Sequence, residues 1–241
     1  MTSIDPLSQI PQQEIPTFKV VLLGETAVGK SCLISRYVNN TFLSNFVPTM
    51  GSCFSTKELC FEEFNKKRIK LEVWDTAGQE KYRSIAKMFY KEASVAILVY
   101  DITREESFLE LKNFWYKEVR DNAENNIIIA IVGNKKDLYE YEEVNMKEIA
   151  LFAKNEGAIF KETSAKEGNG VEELFRLIGL KLISPEYYDR MMNDSRFSRY
   201  GSKTSIQIAY SNKDTNINNS QFVSGGMRES IVSEEPPKKC C

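Results

Sequence analysis

The octapeptide Gly24 to Ser31, GETAVGKS, constrains this chain more than any other feature. It fits G-x-x-x-x-G-K-[ST]. It follows a short β-rich apolar run, FKVVLLG, and opens a helical pattern from Lys30 to Asn39. Such a string arises by chance in a chain this long on the order of once in a hundred. The strand before it and the helix after it narrow the reading further. Glycines let backbone N–H groups turn inward around an anionic phosphate. The positive end of the following helix adds to that field. Lys30 can reach outer phosphates, and Ser31 offers an oxygen to Mg²⁺, which takes oxygen ligands in near-octahedral geometry.

Composition limits what chemistry can accompany that loop. The chain has 241 residues, enough for one full core and a further segment. Lysine plus arginine is 32 against 34 acids, a net charge of −2, so there is no general electrostatic grip on nucleic acid. Histidine is absent. That excludes Ser-His-Asp and Cys-His hydrolases, His-liganded zinc enzymes and any histidine general base. Catalysis must rest on electrostatics, backbone donors, carboxylates, Lys/Arg or a hard metal. The five cysteines, Cys32, Cys53, Cys60, Cys240 and Cys241, include no C-x-x-C pair and read as reduced thiols.

Hydrophobic periodicity organises the chain into three parts. Residues 1–16 carry three prolines, lack the basic and apolar stretches of a secretory leader, and are expected to form a flexible arm. Residues 17–183 alternate apolar strand runs with helical patterns. Cys53–Phe61 and residues 68–76 flank the polar stretch EEFNKK and predict a hairpin. VAILVYD (Val95 to Asp101) and NIIIAIVGN (Asn126 to Asn134) predict buried strands, and residues 158–164 predict another. Thr103 and Glu106 have capping-box spacing, ahead of Phe108, Leu111, Trp115 and Val119 at helical spacing. Residues 144–156 and the stripe Val171, Leu174, Phe175, Ile178 predict two more helices. Apolar strands alternating with helices predict an α/β fold: a six-stranded, mostly parallel sheet with one antiparallel edge strand and helices on both faces. From 184 to 241 the composition turns polar and aperiodic and predicts a disordered tail.

Two further motifs choose the nucleotide and its chemistry. NKKD (Asn134 to Asp137) follows a buried strand at the end where open α/β sheets bind ligands. A carboxylate at Asp137 can accept both N1–H and the 2-amino group of guanine; adenine offers neither and leaves it unpaired. WDTAGQE (Trp74 to Glu80) also follows a strand. There Asp75 fits a Mg²⁺-side carboxylate acting through water. Gly78 can bring its backbone N–H to a γ-phosphate, and Gln79 can orient a water in line with the phosphorus.

These motifs, together with Thr49 and ETSAK (Glu162 to Lys166), resemble the Ras-like small GTPases in order and spacing over roughly residues 17–183. Within them PTMGSCF, KLEVWDTAGQE, KYRSIAKMFYKEAS and LVYDITREESF resemble the Rab family, and the last is similar to its early-endosomal branch. The resemblance implies a P-loop NTPase small G domain that binds GTP or GDP with Mg²⁺. Gly24, Thr26, Ala27, Val28, Gly29, Lys30, Ser31 and Cys32 would line the phosphates. Ser31, Thr49 and Asp75 would serve the metal, with Thr49 also sensing the γ-phosphate. Phe42 would pack edge-on against guanine, Lys135 would lay its stem along the purine, and Asn134 would brace the two loops. Beside Ser164, Ala165 would give its N–H to guanine O6, and Lys166 would pack on the base. Lys30, Thr49, Gly78 and Gln79 would carry catalysis. Residues around 40–52 and 77–92 would be the two switches, and effectors would read Phe54, Trp74 and Phe89.

The resemblance extends to partners and place. It implies an exchange factor, a GTPase-activating protein, an escort protein and a GDP-dissociation inhibitor. The terminal Cys240 and Cys241 resemble the doubly geranylgeranylated Rab terminus and imply the cytoplasmic face of an endomembrane, with cycling through the cytosol. Met50, Ser52 and Cys53 depart from the common pattern near the effector region, and Phe89 lacks a frequent tyrosine hydroxyl. No arginine or lysine lies between Asn39 and Met50, so hydrolysis is expected to be slow until a partner supplies an arginine, worth about 10³–10⁵-fold. Three readings compete: a membrane GTP switch, a metabolic nucleotide kinase, and an interaction module with negligible hydrolysis. A kinase needs lid arginines, for which the chain shows no segment, and Gln79 argues for hydrolysis. A Ras-like signalling role remains the alternative to traffic.

Overall fold

Period-two alternation explains why the strands read as unbroken apolar runs: successive side chains enter opposite faces of a sheet covered on both sides. The structure, a computed structural model, describes residues 14–42, 49, 53–76 and 88–193. The elements are β1 (Thr17–Leu23), α1 (Lys30–Asn39), β2 (Cys53–Phe61), β3 (Lys67–Asp75), β4 (Val95–Asp101), α2 (Glu105–Glu110), α3 (Tyr116–Asn122), β5 (Ile128–Asn134), α4 (Met146–Asn155), β6 (Ile159–Glu162), α5 (Val171–Ile183) and α6 (Pro185–Asn193). The six strands lie in the order β2-β3-β1-β4-β5-β6. Every pair is parallel except the edge hairpin β2–β3, which holds Phe54 opposite Trp74.

Val20 and Leu22 of β1 enter one core with Ile97, Val99 and Val132; Val21 and Leu23 enter the other with Leu98, Tyr100 and Ile131. Helices α1 and α5 close the first core, where the Tyr37 and Phe175 rings stack at 3.6 Å. Phe108, Leu111, Trp115 and Val119 close the second, together with Ile149 of α4. Their helix is interrupted: a π turn at Leu111–Trp115 joins α2 to α3. Buried side chains of this size each contribute about 1.5–3 kcal/mol.

Three local expectations change. The capping box at Thr103 and Glu106 does not form, since the residue before α2 is Arg104, in extended backbone and with no side-chain cap. Thr103 instead gives its hydroxyl and its N–H to the Asp101 carboxylate, the stronger acceptor. β6 stops at Glu162 rather than at 164, and the side chains of Thr163 and Ser164 bond Asn134 and Asp137. The tail does not begin at 184. Pro185, suited to a first helical turn, opens α6, which buries Tyr188 and sets Tyr187 edge-on to Phe64 at 5.1 Å. Tyr187 and Tyr188, with Met191 one turn on, supply an apolar side that the polar average of the segment conceals.

Candidate functional site

The loop after β1 is shaped by close approaches that only glycine permits. At Gly24, φ is +143° and a Cβ would lie 2.3 Å from the Val99 carbonyl oxygen of β4. At Gly29, φ is +95° and a Cβ would lie 2.3 Å from Asn134 Nδ2. Between them Ala27 holds left-handed backbone at φ 65°, a strained conformation for a residue with a side chain. Val28 is buried, and half-buried Cys32 follows in α1. The first turn of α1 contains no acid, so nothing there opposes an incoming anion.

Lys30 is 5% exposed and gives its ammonium to the Gly24 and Glu25 carbonyls at 2.9 and 2.8 Å. Burial lowers its pKa to about 8, against the opposing pull of the Asp75 and Glu25 charges. Outside the loop, Arg104 pairs with Glu25 at 2.7 Å and reaches the Thr26 carbonyl at 3.5 Å. Sequence pattern offers no signal for this tie, because Arg104 sits 78 residues from Thr26.

Ser31, Thr49 and Asp75 come together from three segments. The Ser31 and Thr49 hydroxyls lie 2.9 Å apart, and Thr49 donates to Asp75 Oδ2 at 3.3 Å. Burial raises the Asp75 pKa, countered by the Ser31 hydroxyl and the Lys30 charge. Its second oxygen, Oδ1, is buried with no hydrogen-bond partner. An orphaned carboxylate oxygen beside two hydroxyls fits a hard cation such as Mg²⁺.

The base end is built around Asn134, at the end of β5 and 1% exposed. Its amide donates to the Val28 carbonyl at 2.9 Å and accepts from the Thr163 hydroxyl and the Ala165 N–H, both at 3.2 Å. One side chain therefore joins the phosphate loop to the loop after β6. The Ala165 N–H, which the resemblance assigns to guanine O6, is engaged by a buried amide oxygen that needs a donor; a guanine must share it. Asp137 accepts from the Ser164 hydroxyl at 2.6 Å, with Lys166 Nζ at 3.8 Å. Lys135, in left-handed backbone, places its ammonium 2.6 Å from Asp101, whose other oxygen Thr103 occupies. Phe42 lies just beyond α1 and is 37% exposed.

Arg36 escaped the sequence reading. From the last turn of α1 it bonds the Ala165 and Lys166 carbonyls. The available signal was only a basic residue near a helix C-terminus. On the hairpin edge, Phe54 is 54% exposed and stacks on Trp74 at 5.1 Å; Phe89 is half-buried against the second core. Gly78, Gln79, Cys240, Cys241 and most of the two expected switches lie outside the described residues.

A family model described as the Ras family matches residues 19–184. That span contains the phosphate loop, the three oxygens gathered at Asp75 and the base end at Asn134 and Asp137, and it stops just before α6. The chain belongs to the Ras family, as a small GTP-binding protein.

Proposed function

We propose that this Ras-family switch works in vesicular membrane traffic, as a Rab-type protein anchored by two lipids. As a Ras-family GTPase it binds GTP and GDP and acts through regulators and effectors. The observation that carries the finer reading is the exposed Phe54–Trp74 stack at the hairpin edge, beside Rab-type sequence runs. Aromatic surface of this kind suits partner recognition.

The chain's own residues account for binding and orientation. Asp137, held by Ser164, accepts from the guanine edge; Lys30 and the N–H groups opening α1 take the phosphates. Mg²⁺, when held by Ser31 and Thr49 with Asp75 behind them, neutralises phosphate charge. Gln79 orients the attacking water. Without an arginine in the first switch, the γ-phosphoryl lacks a cationic stabiliser and hydrolysis is slow. Gln79→Leu should therefore slow hydrolysis further in a single-turnover assay without activating protein. An unchanged rate removes Gln79 from catalysis.

The anchor reading rests on Cys240 and Cys241 beside Lys238 and Lys239. Stable anchoring generally takes two signals, and each buried CH₂ contributes about 0.8 kcal/mol. The two lysines add only about 1 kcal/mol each near an anionic leaflet. Paired lipids also explain the need for an escort protein and a GDP-dissociation inhibitor that shield them during passage through the cytosol. Changing both cysteines to Ser should leave GTP binding intact and move the protein from endomembranes to the soluble fraction. A double variant still on membranes would overturn the anchor and leave the GTPase reading standing.

A further inference from the structure

We propose that Arg36 is the positioning residue of the guanine end of the site, setting the loop that reads the 6-position of the base. The inference rests on the guanine-nucleotide reading and names a residue which that reading does not use. The guanidinium donates from Nε to the Ala165 carbonyl at 2.8 Å and from Nη2 to the Lys166 carbonyl at 2.6 Å. Nη1 donates to the Asn40 carbonyl and to Asn40 Oδ1, both at 3.0 Å. Four bonds therefore leave one planar fork, and all go to uncharged acceptors. The Asn40 pair completes the end of α1. The other two bonds span 129 and 130 residues and serve nothing within the helix.

Their geometry matters because Ala165 and Lys166 are gripped from both sides. On the inner side the Ala165 N–H meets Asn134 Oδ1. On the outer side Arg36 takes the Ala165 and Lys166 carbonyls. Gly168, in left-handed backbone at φ +87°, turns the loop alongside the arginine stem, with the Arg36 Cδ 3.4 Å from where a Cβ would sit. The residue that offers its N–H to guanine O6, Ala165, is thus fixed at its nitrogen by Asn134 and at its carbonyl, one peptide further on, by Arg36. Asp137, which reads the 2-amino group, is held separately by Ser164. Asn40 lies two residues before Phe42, so the same guanidinium also fixes the start of the segment carrying that ring. α1 begins with the phosphate-binding Lys30 and Ser31, and Arg36 makes its far end a support for the base. A lysine keeps the charge but cannot bridge two consecutive carbonyls while holding Asn40.

The test uses the full chain, with GDP and two analogues: inosine diphosphate, which lacks the 2-amino group, and 2-aminopurine riboside diphosphate, which lacks O6. Arg36→Ala should release GDP at least about tenfold faster, by the same factor in excess Mg²⁺ and in chelator, because the metal end is untouched. Its preference for GDP over the O6-lacking analogue should shrink by about the same factor, and its preference over inosine diphosphate should stay. Arg36→Lys should fall between wild type and Ala, and it decides the matter if the Ala variant does not fold. Unchanged GDP release in a folded variant overturns the proposal. So does faster release with both preferences unaltered, which marks general loosening. A wild-type protein with no preference for guanine nucleotides would overturn the underlying reading as well, and is seen before any variant is made.

Discussion

The two ends of the nucleotide site are built on opposite principles. At the base end every described polar side chain has a partner: Asn134 spans three groups, Asp137 has Ser164, and Lys135 has Asp101. At the phosphate end Lys30 is desolvated and Asp75 Oδ1 has no partner. Preorganised hydrogen bonds suit a flat base that must be told from its analogues. Unmet charge suits a polyanion and a cation that arrive together. The base end is thus complete in the protein alone, whereas the phosphate end is complete only with its ligands. This division lets one site keep its nucleotide identity while responding to the phosphate count.

The largest expected effect is at the base end. Asp137→Asn should lower GTP affinity on the order of 10³-fold and shift preference toward xanthine nucleotides, because the 2-carbonyl can accept from the new amide. Competitive displacement with GTP, XTP and ATP measures it. An Asp137→Asn protein that still prefers GTP over XTP would break the comparison, since specificity would then lie outside the preorganised end.

Next in size is Lys30→Ala, expected to weaken GTP and GDP about 10²-fold by removing charge-assisted bonds to phosphate. Its charge also gives a pH signature. The folded-state pKa near 8 lies below the ordinary 10.5. Between those values the unfolded chain holds more protons, so the Lys30 contribution to nucleotide-free stability rises with pH across that window. Below about pH 8 both states are protonated, and the desolvation cost is felt in full. Bound phosphate restores the charge, so binding near pH 8 should take up about half a proton and weaken at higher pH. Calorimetry in two buffers of different ionisation heat reads that uptake. No difference between wild type and Lys30→Ala would mean the phosphate end is not held in waiting by this lysine.

Much of this division is visible in the sequence, for reasons tied to local chain geometry. GETAVGKS and NKKD are contiguous, so their loops and the strands before them follow from pattern alone. The continuous apolar runs of β1, β4 and β5 encode a sheet covered on both faces. Contacts between distant segments are not encoded that way. Arg36 and Arg104 look like ordinary surface arginines until folding brings them to carbonyls far along the chain. The capping-box spacing at Thr103 misled because Asp101, two residues earlier, competes for the same hydroxyl. The helix Pro185–Asn193 is hidden in the sequence because Phe64, the ring its Tyr187 meets, lies more than a hundred residues earlier in the chain.

The smallest effect expected is at Thr163, and it probes how redundant the base end is. Its hydroxyl is wholly buried and donates to Asn134 Oδ1 at 3.2 Å. Thr163→Val keeps the shape and removes one donor. Asn134 Oδ1 still receives the Ala165 N–H, so no buried acceptor is orphaned, and the cost should be about 1 kcal/mol. GDP release should rise about fivefold, with Mg²⁺ dependence and the preference for guanine over xanthine unchanged. Stopped-flow displacement of a fluorescent GDP analogue measures the rate, and thermal unfolding measures the stability. A loss as large as that of Asp137→Asn would show that the Asn134 bonds act as one cooperative unit. The base end would then depend on each of its bonds as strongly as the phosphate end depends on its ligands, and the contrast between the two ends would narrow to the desolvated Lys30 and the unpartnered Asp75 Oδ1.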